Sequence, residues 1–314
     1  MCIDLCIIIV SWNVSALLDA CLHSVYSEGV GPYSFKVVVV DNASSDGSVV
    51  MIRTQYPQAQ IIANNANMGF TKANNLALAG CKARYALLLN PDTKVAKDAI
   101  QGMLDYMEVH PEVGMVGPRL EYGDGRPQPS RRRFPTLWMA LAESTPWEWH
   151  FPHNRLARAY RLEDHSEDVN QEVDWVTGAC MLVRRGVWEQ VGIFDEHFFM
   201  YSEELDWCRR IVAAGWHIVY LPTATVVHHE GASSVQVVAA RSIRFNASKV
   251  YYFRKHHGWL QATILRVLIL VMYVYEWVIE LLKWLIGHKK SVRIERMRAY
   301  GQVIRSGLWL QVEP

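Results

Sequence analysis

Residues 83–95 read ARYALLLNPDTKV, and the fold turns on how that stretch is taken. Its apolar run, Tyr85–Leu89, stops abruptly at Asn90-Pro91-Asp92-Thr93. A leucine-rich run closed by Asn-Pro reads as a buried strand handing its last residues to a loop, because proline has no N–H with which to continue the ladder. A carboxylate, Asp92, is thereby held at a strand's C-terminal edge. In open α/β sheets ligands bind at that edge, and a hard divalent cation carrying phosphates takes one or two such carboxylates together with substrate oxygens. A solvated Asp in an ordinary turn is the competing reading of this stretch alone. Its neighbours decide.

The same pattern recurs upstream. Leu5–Ser11 reads as a buried aliphatic strand; Val14, Leu17, Leu18, Cys21, Leu22 and Val25 then follow helical spacing, with Asn13 or Ser15 as cap. Lys36–Val40 is a second all-aliphatic run, and it ends at Asp41-Asn42-Ala43-Ser44-Ser45-Asp46-Gly47, a second carboxylate at a strand terminus. A helix reaching Tyr56, a strand over Ala59–Ala63 and a helix from Thr71 to Gly80 lead into Tyr85–Leu89. Strands alternating with helices of roughly ten residues need crossover connections. The expectation is an α/β fold: a doubly wound, mostly parallel sheet with helices on both faces. A helix over Lys97–Val109 and a strand over Val113–Val116 extend it.

From Arg126 to Gln171 the pattern weakens, with three consecutive arginines at 131–133 and with Trp138, Trp147 and Trp149 scattered among polar residues. This reads as an excursion, partly helical around Leu137–Ser144 and Arg155–Leu162. Regularity returns in a strand over Val173–Val183, interrupted at Thr177-Gly178-Ala179, where glycine signals a bulge or a close approach to the backbone. Leu205, Cys208, Ile211 and Val212 form one face of a helix that stops at Gly215. Glu203 and Glu204 sit at its N-terminus, where the dipole favours negative charge. Strands over His217–Leu221 and Thr225–Glu230 follow, and because neighbours in a strand point to opposite faces, only one of His228 and His229 can reach a given site.

Three acidic groups, Asp41, Asp92 and the set Glu203, Glu204 and Asp206, can therefore converge at one rim of the sheet. Each also has a local alternative. Asp41 can cap its own turn, Glu203 can belong to a capping box, and Asp206 can pair with Arg209 or Arg210 along the helix.

Composition narrows the class. A chain of 314 residues suffices for one large or two small domains. A net charge of +1 with 20% charged residues gives no global nucleic-acid footprint, and no nucleic-acid partner is expected. Six cysteines without a CxxC pair or regular spacing read as reduced core thiols and favour the cytoplasm. Asp4 and an apolar run of only strand length argue against a signal peptide.

Taken in order, these segments resemble the inverting glycosyltransferases of family 2, of GT-A fold, and most of all their bacterial rhamnosyltransferase-like members. The resemblance spans Leu5–Ser234. It rests on IIIVSWN at 7–13, VVVVDNASSDGS at 37–48, NNANMGFTKANN at 64–75, LLLNPDT at 87–93, VTGACMLVRR at 176–185 and FDEHFFMYSEELDWCRR at 194–210, followed by GW and HHEG. It implies metal-dependent transfer, with inversion, from a UDP- or dTDP-sugar such as dTDP-rhamnose. The acceptor would be a hydroxyl of a glycan or polyprenyl-linked molecule in cell-surface polysaccharide synthesis. It further implies that Asp41 accepts hydrogen bonds from the pyrimidine or ribose, while Ser11, Trp12 and Asn13 supply backbone contacts to the same base. Asn67, Gly69 and Asn74 match the loop that closes over the nucleotide.

Asp92 matches the last acid of the family's DxD motif and would bind Mg²⁺ or Mn²⁺, with His228 matching a metal-ligating histidine of some relatives. Asn90 stands where the first Asp usually is, so binding of the ion would lean on the substrate phosphates. Glu204 matches the second residue of an ED-type pair, usually Asp, and would be the general base; Glu203 stays a rival, because Glu for Asp changes the reach by one methylene. Asp206 and Arg210 would hold the base or the phosphates, and Thr177, Gly178 and Ala179 would line the acceptor pocket. Trp175 either stacks on a sugar ring or fills the core. Asn90 leaves open a catalytically inactive nucleotide-sugar-binding or scaffold protein. A sugar nucleotidyltransferase is disfavoured, since no glycine-rich basic loop suited to a triphosphate is present.

The catalytic domain is expected over residues 1–235 and a helical region over 236–314. Gln236–His257 reads as a basic amphipathic helix. Leu260–Ile286 is strongly apolar yet carries Arg266, Glu276, Glu280 and Lys283. A lone spanning helix would bear a heavy cost for those charges. Residues 259–298 are therefore expected to lie in the membrane interface, on the inner face of the cell membrane, with Trp259, Trp277 and Trp284 at headgroup level. Lys289, Lys290, Arg293, Arg296 and Arg298 would face anionic lipids. The competing reading docks this helix on the catalytic domain or on a second copy of the chain, as a homodimer.

Overall fold

The computed structural model describes residues 3–143, 154–229 and 238–309. Trp147, Trp149, Glu230, the boundary at 235/236 and the expected helix start at Gln236 lie outside the described residues. The chain divides into two compact units, one of residues 1–134, 161–196 and 203–233, the other of 135–160, 197–202 and 234–314.

The first unit is built on a mixed, mostly parallel sheet. Strands β1 (Leu5–Ser11), β2 (Phe35–Asp41), β3 (Gln60–Ala63), β4 (Tyr85–Leu89), β5 (Thr93–Val95), β6 (Val113–Glu121), β11 (Cys180–Arg184) and β12 (His217–His228) lie in the order β3-β2-β1-β4-β11-β6-β12-β5. β1 pairs in parallel with β2 from Leu5↔Phe35 to Ser11↔Asp41, and with β4 from Leu5↔Tyr85 to Ile9↔Leu89. The chain thus winds outward from β1 to β3 and returns to place β4 on β1's other side. The reversal of strand order between β1 and β4 opens the crevice in which such sheets bind ligands. β11 runs antiparallel to β4 and β6, β12 runs parallel to β6, and β5 runs antiparallel to β12. Ser11, Asp41, Asn90 and His228 therefore leave their strands at one rim, where Ala179 and Asp92 precede the reversed strands β11 and β5.

Both faces of this sheet are covered, which is why the strands read as unbroken aliphatic runs. Leu5, Ile7, Ile9, Val37, Val39, Leu87 and Leu89 pack in one core with Leu18 and Leu22 of α1 (Ser15–Glu28) and Ile100, Met103 and Leu104 of α4 (Ala99–Val109). The alternate residues Cys6, Ile8, Val38, Val40, Ala86 and Leu88 are buried as well. α2 (Ser48–Gln55), α3 (Gly69–Ala79) and α8 (Glu203–Ala213) complete the layers. The Cys208 Sγ of α8 lies 3.6 Å from the Met115 sulfur of β6.

Several elements differ from the sequence expectation. β6 continues through Gly117 and Pro118 to Glu121: Val176 occupies the space a Cβ on Gly117 would need, and the Pro118 carbonyl accepts from Ser130 Oγ at 3.2 Å. The two strands expected over 217–230 are one, with a register shift between Leu221 and Thr225 that absorbs Pro222. The interruption at 177–179 is a change of sheet. β10 (Trp175–Val176) pairs with β8 (Arg131–Arg132), whereas β11 joins the main sheet. The edge strand β5 and helix α7 (Arg185–Val191) have no counterpart in the sequence reading. Short β7 (Pro127–Gln128) and β9 (Gln171–Glu172) pair with β6 and β12.

The second unit is helical: α5 (Leu137–Glu143), α6 (Arg155–Tyr160), α9 (Val238–Leu285) and α10 (Lys290–Ser306). α9 turns at Gly258, whose φ of 86° and ψ of 167° suit glycine. Asn246 Nδ2 donates to Tyr273 OH at 3.3 Å across that turn, so the two arms lie side by side. α10 runs back along the second arm. Arg293 donates to Glu280 at 2.7 Å, the Tyr273 and Tyr300 rings meet edge-on at 5.8 Å, and Arg266 Nε donates to the Gly307 carbonyl at 2.6 Å. Arg266 and Glu280, two of the charges within the apolar run, thus lie in the seam between two helices. Arg293, expected to face lipid, is instead buried against Glu280.

Candidate active site

The rim is marked by buried polar atoms without hydrogen-bond partners: Ser11 Oγ, Asp41 Oδ1, Thr71 Oγ1, Asn90 Oδ1, Glu203 Oε2 and Glu204 Oε2. A fold leaves few such atoms unless a ligand completes them. At the β1 and β2 exits, Asn13 and Ala43 adopt left-handed φ of 53° and 61°. The two turns are cross-linked: Asn13 N donates to Ser44 Oγ at 3.0 Å, and Asn13 Oδ1 accepts from Ser45 N at 2.8 Å. Ser44 N donates to Asp41 Oδ2 at 2.9 Å, which leaves Oδ1 buried with its acceptor capacity unused. Trp12, half-buried, lies between these contacts. The 64–69 loop is pinned by Asn42, whose amide donates to the Gly69 carbonyl at 3.0 Å and whose oxygen accepts from Asn64 at 2.9 Å. Gly69, at φ 83°, donates its N–H to Asn67 Oδ1 at 3.0 Å. Asn74 lies one turn deeper in α3, buried, donating to the Phe70 carbonyl.

β5 explains how Asp92 meets His228. The chain reverses at Asn90-Pro91 and pairs Thr93 opposite His228, so Asp92 Oδ1 comes within 3.4 Å of His228 Nε2. Gln128 Oε1, 3.0 Å away, can only accept, so His228 Nδ1 donates to it. Nε2 then faces Asp92 and, at 3.5 Å, the Asn90 amide. Such an orienting bond on the far nitrogen is the usual setting of a metal-binding imidazole. The 3.4 Å gap between the two ligand atoms is close to the roughly 3 Å edge of an octahedron with bonds of about 2.1 Å. Among the described residues no group of three or more His, Cys, Asp or Glu converges to hold an ion. Asp92, His228 and the unpartnered Asn90 Oδ1 accordingly fit a divalent cation whose remaining ligands come from elsewhere. His229 is exposed, with its ring over Gly123.

Glu203 and Glu204 open α8 beside the same rim. The Glu204 side chain lies over Gly178, where a Cβ would stand 3.6 Å from its Cβ and Cγ. The next residue, Ala179, accepts a backbone hydrogen bond from Asn90 at 2.9 Å, which links the acid to the Asn90-Pro91-Asp92 turn through two residues of chain. Burial, then the adjacent Glu204 charge, push Glu203 well above the ordinary carboxylate range. Burial raises Glu204 too, opposed by backbone N–H groups and by the Arg132 charge. Asp206, fully buried, accepts from Arg210 Nε at 2.9 Å, while Arg210 also donates to the carbonyls of Val191 and Ile193. That clamp holds the chain entering α8. Thr177 is tied to Ser130 and Pro129. Trp175 is buried, its indole donating to the Arg133 carbonyl at 2.9 Å, with the Arg132 guanidinium over its ring at 5.1 Å.

The structure thus brings Ser11, Trp12, Asn13, Asp41, Asn67 and Gly69 into one turn cluster, Asn90, Asp92 and His228 into a second, and Glu204, Gly178 and Ala179 into a third beside it. Asp206, Arg210, Asn74 and Trp175 stand behind these groups. Sequence reasoning missed Gln128, Asn42 and Arg132. Asn42 lay within a quoted motif; Gln128, in a proline-punctuated stretch, carried no local signal.

A family profile described as glycosyltransferase-like family 2 matches residues 4–245. The N-acetylglucosaminyl-diphospho-decaprenol L-rhamnosyltransferase of Mycobacterium tuberculosis is 31% identical over 240 residues, covering 73% of this chain and 78% of that one. The low-salt glycan biosynthesis hexosyltransferase Agl10 of Haloferax volcanii is 28% identical over 279 residues, covering 85% and 82%. Among solved structures, the mannosyltransferase PcManGT of Pyrobaculum calidifontis in complex with GDP-Man and Mn²⁺ superposes with a TM-score of 0.56 at 16% identity, over 98% of this chain and 85% of that one, which shows a shared GT-A fold. The profile runs from β1 through every rim segment just described, and on that match the chain belongs to the family 2 glycosyltransferases.

Proposed function

We propose that this glycosyltransferase moves a sugar, with inversion, from a UDP- or dTDP-sugar to a hydroxyl of a lipid-linked glycan acceptor, using a divalent cation. The observation that carries the reading is the set of unpartnered buried polar atoms on Ser11, Asp41 and Asn90 at the ends of β1, β2 and β4, together with Glu203 and Glu204 at the start of α8. Asp41 Oδ1 would accept from the base or ribose, with backbone contacts from Ser11, Trp12 and Asn13 and with Asn67 and Gly69 closing over the nucleotide. Asp92 and His228, helped by Asn90, would hold Mg²⁺ or Mn²⁺, which when bound offsets the charge of a diphosphate leaving group.

Glu204 is the base in this reading. It takes the proton of the acceptor hydroxyl as that oxygen bonds to the anomeric carbon; the bond to the donor's diphosphate oxygen breaks, and its electron pair leaves with the nucleoside diphosphate. Burial and the adjacent Glu204 charge both favour the protonated form of Glu203, because two adjacent buried carboxylates do not both ionise cheaply. Asp206 and Arg210 fix the helix that aims Glu204. Thr177, Gly178 and Ala179 line the acceptor side, and Trp175 supports them from beneath.

The name of the mycobacterial relative, a rhamnosyltransferase acting on a diphospho-decaprenol, favours a rhamnosyl donor and a lipid-linked acceptor here too. Work on such an acceptor takes place at a membrane surface. The five described cysteines are all buried and unbridged, which fits the cytoplasmic side. Thermal stabilisation across UDP-, dTDP- and GDP-sugars, with and without Mn²⁺ or Mg²⁺, tests the donor. A cognate donor at about 100 Kd adds about 2.7 kcal/mol; no response to any donor with metal present rules the reading out. The anomeric configuration of the product, by NMR, tests inversion.

A further inference from the structure

The second arm of α9 carries a face that its own unit leaves bare. Leu260, Ile264, Val267, Leu268, Val271 and Val274 are exposed, and the same 3.6-residue stripe continues through Tyr275, Val278, Leu282, Leu285 and Ile286, the last 80% exposed. At 1.5 Å per residue the ridge is about 40 Å long, far beyond a scattered surface Leu or Val. Three of the arm's four charges are engaged within its own unit. Glu280 is 1% exposed and held by Lys283, Arg293 and Arg296, and Arg266 is spent on the Gly307 carbonyl and the Trp309 ring.

Two further features identify the occupant. Exposed cations stand at both ends of the ridge, Arg254 and Lys255 before the Gly258 turn and Lys289 and Lys290 after Ile286. The first arm and α10 lie alongside and expose charge, including Arg241, Glu295, Arg296, Arg298 and Arg305. A second protein would need only the ridge. Cations at both ends of a 40 Å apolar stripe match an anionic surface met edge to edge, and spanning would drag the flanking charged helices into hydrocarbon.

We propose that the outward face of residues 260–286 docks flat on an anionic lipid bilayer, its aliphatic ridge entering the acyl boundary while Arg254, Lys255, Lys289 and Lys290 meet headgroups. This deepens the proposed function and rests on it for the lipid-linked acceptor that the docking would serve. The enzyme is held on one leaflet, without crossing it.

Flotation of the full chain with vesicles of phosphatidylcholine, alone or with roughly a quarter phosphatidylglycerol, tests this. Wild type should float with the anionic vesicles. Val271→Glu with Val278→Glu, and separately Lys289→Gln with Lys290→Gln, should each lower partitioning by about tenfold or more while leaving the donor-induced thermal shift unchanged. Should the Glu variant fail to fold, a fluorophore on Val271→Cys, selective over the buried described cysteines, should shift to the blue on anionic vesicles only. Equal flotation of folded variant and wild type overturns the proposal, as does an alkali-resistant, protease-protected span. A concentration-dependent dimer that ignores vesicles and is broken by Val271→Glu overturns it too, assigning the ridge to self-association. Donor stabilisation without flotation refutes the docking alone; flotation without donor stabilisation refutes the proposed function and leaves the docking standing.

Discussion

Gly178→Val isolates the placement of the base. A Cβ on Gly178 would sit 3.6 Å from the Glu204 Cβ and Cγ and 3.7 Å from its Cδ, ordinary contact distances. Gly178 also lies outside the left-handed φ region, so neither alanine nor valine strains its backbone. Gly178→Ala should therefore be accommodated. Valine extends the side chain by another bond of about 1.5 Å, so a methyl directed at Glu204 falls well inside the 3.5–4.0 Å optimum for carbon contacts. The carboxylate must give way by about 1 Å, and a misplacement of that size costs on the order of 10²-fold in rate, or about 2.7 kcal/mol of transition-state stabilisation. Donor KM should hold, because the turns around Asp41, to which the proposed function gives the nucleotide, are built from other segments. Initial rates at saturating donor and acceptor, with melting curves for each variant, measure this. A well-folded Gly178→Val enzyme with wild-type kcat would show that the base does not stand over Gly178.

The carboxylate pair makes a second prediction: Glu203→Gln mimics the protonated form that burial and the Glu204 charge favour and should keep most activity, whereas Glu204→Gln should bind donor yet cease transfer. Reversed outcomes would make Glu203 the base. Since burial raises both acids, the acidic limb of kcat against pH should lie above an ordinary glutamate. The stability sign follows from the same shift, being full below the unfolded value near 4.3 and lost as pH rises through the folded ones; Glu203→Gln should remove that loss in a melting series. At the proposed metal site, Asp92→Ala and His228→Ala should abolish the metal-dependent part of donor binding, read by titrating Mn²⁺ with donor present; an unchanged titration would remove both as ligands. In the helical unit, burial opposes ionisation of Glu280, but hydrogen bonds from Arg293 and Lys283 outweigh it and hold its carboxyl below the usual range. Its contribution should be full above pH 4.3 or so and fall as pH drops through the folded value. Glu280→Gln, leaving Arg293 buried without a countercharge, should cost about 3–5 kcal/mol in denaturant unfolding.

The strands β1, β2 and β4 were legible because both of their faces are buried, so their aliphatic runs carry no competing signal. Asp41 and Asp92 were legible for a related reason, since each ends such a run. What escaped was non-local. β5 has only three residues, and nothing local to Thr93–Val95 says that they will reverse and pair with β12; yet that pairing is what carries His228 to Asp92. Gln128 reaches the same histidine from β7, a two-residue strand in a stretch broken by Pro127 and Pro129. In the C-terminal region the charges Arg266, Glu276, Glu280 and Lys283 within an apolar run were visible. The partner helix was not, because α10 shows mainly charge in sequence and its buried contact, Arg293, looks like any surface arginine until Glu280 is placed against it.

Asn90 links the sequence's departure from the family pattern to the geometry of the rim. An aspartate there would have put a second carboxylate beside Asp92, with a full charge to offset whenever the site is without a cation. Asn90 instead presents its amide to His228 Nε2 at 3.5 Å and leaves Oδ1 buried and unpartnered. In the proposed site the same side chain would offer a neutral oxygen as ligand. With one charge fewer, an ion in the proposed site would draw its affinity from Asp92, His228 and the substrate's own phosphates. Metal and donor binding would then be reciprocally coupled. Mn²⁺ alone should bind weakly, and nucleoside diphosphate should raise its affinity by the same factor by which Mn²⁺ raises that of the nucleotide. Asn90→Asp should strengthen Mn²⁺ binding without nucleotide and shrink that factor. An Asn90→Asp enzyme whose two affinities remain as strongly coupled as in the wild type would show that Asn90 plays no part in holding the ion.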